Sequence, residues 1–141
     1  MNIVATEQIL VASVLTNGAK PGPCLCTAIA YAPDYWESPE AGKLAQAIGR
    51  VFKRGFRASP PMVKAMCEPE YRAWLSHPTF GSHNALPLSC AEEEARVLIR
   101  HYQNQRILDT ISDAYEQVID HPEKALEVAR GLHVALGEWC E

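Results

Sequence analysis

Apolar residues recur at helical spacing along most of the chain, and no segment alternates convincingly with the period of two that a half-buried strand requires. From Thr6 to Leu15, residues Leu10, Val11, Val14 and Leu15 fall on one face, with Thr6 as the expected N-cap. The helix is expected to stop at Asn17-Gly18, a dipeptide that readily turns left-handed. Lys20-Pro21-Gly22-Pro23 reads as a loop, and a short helix over Cys24 to Ala30 ends before Pro33. Ser38-Pro39 supplies a cap and a first-turn proline for a helix with the stripe Ala41, Leu44, Ala45, Ile48, Val51, Phe52. Gly55 stands where a C-terminal glycine belongs. Ser59-Pro60 repeats the start signal before Met62, Val63 and Met66, and Tyr71, Ala73, Trp74 and Leu75 suggest another short helix. The stretch His77 to Pro87 reads as a loop.

A much longer element follows. Ser89-Cys90-Ala91-Glu92 has the form of a capping box, in which serine and glutamate satisfy each other's orphan backbone donors. Apolar positions 95, 98, 99, 102, 107, 108, 111, 114, 115, 118 and 119 then hold the helical period for about eight turns, against about three in an average helix. Asp120-His121-Pro122 resets the chain for a final helix carrying Ala125, Leu126, Ala129, Leu132, His133, Leu136 and Trp139. The pattern therefore predicts an all-α fold, a compact multi-helix head over 1–88 followed by a long C-terminal helical hairpin over 89–141, in one structural domain. Such a hairpin cannot bury both apolar stripes against a small head. It implies a partner helix, a second copy being the simplest, with Tyr102, Ile107, Ile111, Tyr115, Leu132 and Leu136 as the candidate interface.

Composition narrows the setting. The 141 residues are 48% hydrophobic and 21% charged, ordinary globular material with enough chain for one domain. The N-terminus lacks a basic region followed by an apolar run, and no stretch approaches the roughly 20 apolar residues that span a bilayer. With five cysteines (24, 26, 67, 90 and 140), an odd number, the expectation is a reduced, cytoplasmic protein. The net charge of −4 is unevenly spread. Residues 1–40 carry one base and four acids; residues 41–67 carry six bases and no acid; residues 68–141 carry six bases and thirteen acids. Most charge runs are solvated helix faces. The sharper alternative is a patch around Arg50, Lys53, Arg54 and Arg57 for an acidic partner or a nucleic-acid backbone.

Several stretches together resemble the N-terminal domain of DnaB-type replicative helicases. Thr6-Glu7-Gln8-Ile9-Leu10-Val11-Ala12-Ser13-Val14-Leu15 looks like that family's first helix, and Ala32-Pro33-Asp34-Tyr35-Trp36-Glu37-Ser38-Pro39 like its acid, two aromatics and short link to proline. Leu44 to Gly55, Tyr71 to Leu75, a loop with Asn84, and Ala91 to Ile107 follow in matching order. The helicase-binding C-terminal domain of DnaG-type primases is similar in fold and pattern. The long connection at 16–23 and the lack of acids in 41–67 depart from both. What the resemblance implies is a head with a hairpin that pairs into a collar, where primase and loader proteins dock.

Catalytic and metal chemistry finds little footing. No Gly-x-x-x-x-Gly-Lys-Ser/Thr occurs, so ATP hydrolysis is not expected from these residues. Cys24-x-Cys26 has the wrong spacing for zinc, and both cysteines read as small buried hydrophobes. His77, His83 and Cys90 form only a weak imagined ligand set. Glu92-Glu93-Glu94 suits the positive end of a helix better than acid–base work. No cofactor is expected, and neither is enzymatic activity. The expected function is a non-catalytic interaction and oligomerisation module of DNA replication, a homodimer or higher oligomer that docks helicase, primase or loader and meets DNA only indirectly. The alternatives are a phage- or plasmid-borne regulator of a host helicase or primase, or a small nucleic-acid-binding protein using 41–67.

Overall fold

A computed structural model describes residues 2–18 and 22–139, the last of them by its backbone only. The loop expected at Lys20-Pro21, the Trp139 side chain and Cys140 lie outside the described residues. The fold is all-α: α1 (Ile3–Asn17), α2 (Pro23–Ala30), α3 (Pro39–Lys53), α4 (Pro60–Met66), α5 (Leu88–Asp120) and α6 (Ala125–Trp139), with short 3-10 turns between α4 and α5 and between α5 and α6. The chain forms two compact units, residues 1–100 and 101–141. The division falls inside α5, whose first turns bury Ala91, Ala95 and Leu98 completely.

In the first unit α3 is central and packs against α1, α2 and α4. Its expected stripe is the core: Ala41, Leu44, Ala45, Ile48 and Val51 are all fully buried. The Ser38 hydroxyl accepts from Ala41 N at 3.2 Å, and Glu40 favours the positive first turn. At the other end Gly55 (φ 77°) completes a Schellman stop. Gly55 N donates to Phe52 O at 2.9 Å, and Phe56 N to Val51 O at 3.2 Å.

Long-range polar clamps hold the unit together. Glu7, fully buried on α1, accepts from Glu37 N (3.0 Å to each carboxylate oxygen) and from Ser38 N (2.8 Å). Beside it the Trp36 indole donates to Ala28 O at 2.9 Å. Ser13, also fully buried, accepts from Leu86 N at 2.8 Å, while the Asn17 amide donates to Leu86 O at 3.1 Å. The segment expected as a plain loop, 77–87, holds two 3-10 turns, Pro78–Phe80 and Ser82–Asn84, and its Phe80 belongs to the core.

Two cap assignments are corrected, at Thr6 and at Ser89. Asn2 caps α1, accepting from Ala5 N at 3.1 Å, whereas Thr6 lies inside the helix with its hydroxyl donating to Asn2 O. At Asp120-His121-Pro122 the chain resets where expected: Asp120 ends α5, and His121 takes the cap position before the Pro122–Lys124 turn. The capping box does not form, because α5 already starts at Leu88 and places Ser89 within the helix. The Glu92 carboxylate instead accepts from Cys24 N (2.9 Å) and Leu25 N (3.3 Å) at the start of α2. Gly22, the N-cap there, has no side chain to offer, and a Cβ on it would collide with that carboxylate. Glu92→Ala should therefore lower stability by about 1–2 kcal/mol, measured by urea unfolding, because two orphan donors lose a charged acceptor.

Candidate protein-interaction surface

The second unit lacks an apolar centre of its own. Among its described residues Tyr102 alone is buried. On α5 two neighbouring stripes run side by side at spacings of three and four. Ile107, Thr110, Ala114 and Val118 are half-buried. Leu108 (55% exposed), Ile111 (43%), Tyr115 (67%) and Ile119 (57%) face solvent. On α6 the half-buried stripe is Ala125, Val128, Leu132, Ala135 and Leu136, and Leu126 and Val134 are exposed. Between the helices lies a cleft of about 470 Å³, lined by Ala114, Val128 and Leu132 and edged by Asp113, Lys124 and Glu127. Gly131 also lines it, and a Cβ there would meet nothing within 4 Å.

The six residues expected at an interface thus separate into three groups. Ile111 and Tyr115 are available on the outer stripe, whereas Ile107, Leu132 and Leu136 are half-buried. Tyr102 is a correction: at 0% exposure it is a core side chain and offers no surface to a partner. Leu108, Ile119, Leu126 and Val134 belong with the exposed set and were not singled out from the sequence. Their signal was present as period, but one broad apolar face and two adjacent narrow ones look alike in a linear pattern.

The basic segment is also placed. Arg50, Lys53, Arg54 and Arg57 are all exposed, around the Schellman stop that ends α3, and Phe56 beside them is 53% exposed. Lys43 is diverted: it pairs with Glu68 at 3.1 Å. Their shared hydrogen bond raises the lysine and lowers the glutamate from their ordinary pKa values. Solvent-accessible pairs of this kind, half-buried at the rim, contribute little stability.

The cysteines behave differently from expectation. Cys24 is half-buried and Cys26 exposed, because only Leu25, Ala28 and Ile29 of α2 face inward. Among the described cysteines the buried thiol is Cys67, whose pKa burial raises. In the native protein iodoacetamide should modify Cys26 and Cys90 well before Cys67, which should react only on unfolding; mass spectrometry of timed samples reads this directly. His77 is occupied locally, its Nδ1 accepting from Thr79 N at 3.2 Å. Among the described residues no group of three His, Cys, Asp or Glu side chains is placed to hold a metal ion. No helix among them is long and apolar enough to cross a membrane. Compared with protein-family models, curated proteins and solved structures, the chain matches none.

Proposed function

We propose that this chain is a non-catalytic assembly module that pairs through its terminal helices and presents the paired surface to a partner of the DNA-replication machinery. The observation that carries the reading is the outer stripe Leu108, Ile111, Tyr115 and Ile119 beside an open cleft between α5 and α6. A row of large apolar side chains running over twelve residues, from Leu108 to Ile119 and about 16 Å of helix, is what a partner helix covers. A second copy is the occupant that completes the arrangement. It brings an identical stripe and an identical cleft, so each helix pair supplies both the inserted side chains and the gap that receives them. The resemblance to the helicase collar domain supplies the replication context, with a helicase, primase or loader as the docked protein.

Sedimentation equilibrium of the full chain at micromolar concentration tests the pairing. The expected mass is twice that of a 15.6 kDa chain. A strictly monomeric protein at high micromolar concentration would remove the pairing and with it the assembly reading. Addition of a DnaG-type primase, or of a helicase loader, should then shift the dimer to a heavier species.

A further inference from the structure

The first unit carries a candidate surface of its own, between α2 and α3. On α3, Gly49 lets α2 come close: a Cβ there would stand 3.3 Å from Ile29 Cγ2. Beside that approach lies a groove of about 410 Å³ lined by Cys26, Ile29, Ala30, Ala32 and Phe52 together with Arg50 and Lys53. The lining is thus mainly aliphatic and aromatic with Gln46 and two cations; the segment 41–67 contains no acid, and the neighbouring Glu68, whose pKa Arg50 helps to lower, is hydrogen-bonded to Lys43. The Arg50 guanidinium is oriented by one bond, from Nη1 to Met66 O at 3.0 Å, and its remaining donors can still serve a ligand. Arg54 and Arg57 extend the positive surface past the end of α3, with Phe56 exposed between them.

We infer that this groove binds an acidic amphipathic helix of a partner protein, aliphatic side chains against Ile29, Ala30 and Phe52 and carboxylates on Arg50 and Lys53. Apolar lining and exposed bases each select one half of such a ligand, and a helix with both faces satisfies them together. Single-stranded nucleic acid fits less well. Its binding sites use aromatic platforms for successive bases along a basic track, whereas this lining is largely aliphatic. The inference does not depend on pairing through α5 and α6.

Cys26 lines the groove and Cys90 is exposed elsewhere, so their alkylation rates make an internal comparison. The probe is a synthetic peptide of about 18 residues, long enough to be helical when bound, with leucine on one face and glutamate on the other. With the peptide at about ten times its dissociation constant, iodoacetamide modification of Cys26 in the full chain should slow about tenfold, with Cys90 unchanged. The exposed double variant Arg50→Glu/Lys53→Glu should lose the protection, and so should Ala30→Trp, which fills the groove from an exposed position. Ile111→Asp should keep it, separating this site from chain pairing. The inference is overturned by no protection, by equal slowing at Cys26 and Cys90, or by protection that survives the double variant. Equal protection from a peptide with lysine replacing glutamate, or stronger protection from oligothymidylate, would overturn it too.

Discussion

Ile111→Asp should weaken self-association by about two to four orders of magnitude. In a two-fold interface the position is counted twice, and burying a large aliphatic side chain contributes about 1.5–3 kcal/mol per copy. The loss is then about 3–6 kcal/mol, each 1.4 kcal/mol being tenfold in affinity. The single chain should barely notice the change. Ile111 is already exposed, and surface substitutions usually fall within about 0.5 kcal/mol. Circular dichroism and thermal unfolding of the dilute monomer should therefore match the parent. Tyr115→Asp, at the more exposed neighbour, should act in the same direction. A pair of variants that stay folded and stay dimeric would show that the outer stripe is not where the chains meet.

Glu7→Ala should cost about 3–5 kcal/mol, a large fraction of the 5–15 kcal/mol that typically holds a domain together. The side chain is wholly buried, and its carboxylate receives the backbone N–H groups of Glu37 and Ser38. Removing it leaves buried donors without a charged acceptor and opens a small cavity. Glu7→Gln is the instructive comparison. Oε1 alone accepts from both Glu37 N and Ser38 N, so an amide oxygen in its place can keep both bonds. That variant should lose only about 1–2 kcal/mol, the difference between a charged and a neutral acceptor. Urea unfolding of the two variants measures the gap, and equal losses would mean that a neutral amide of the same size recovers nothing, so that the negative charge and not the volume is what these donors require.

The helices were legible in the linear pattern, most clearly α3. Its start, stripe and stop all follow from local chemistry: Ser38-Pro39 begins it, the period of 3.6 sets its buried face, and Gly55 ends it. The contacts that fix the head were not legible, because each joins residues far apart in the chain. Glu7 serves a backbone turn 30 residues away, Ser13 serves Leu86, and Glu92 serves the start of α2 instead of its own helix. Sequence spacing gives a carboxylate's nearest candidates but not the rival donors that folding brings to it. Tyr102 shows the same limit for apolar groups. Its period placed it on the α5 stripe, yet burial is decided by what surrounds it, and the exposed row begins only at Leu108. On α2 the short helix was foreseen, but with only eight residues the pattern does not say which side faces inward.

The Glu92 bonds have a practical consequence for anyone who wishes to express the globular part alone. A fragment cut at the expected boundary after residue 88 would strip α2 of its acceptor and remove Ala91, Ala95 and Leu98 from the interior they help fill. Such a fragment invites aggregation through freshly bared surface. The severable piece runs at least to Arg100, so the opening turns of the long helix travel with the body they complete.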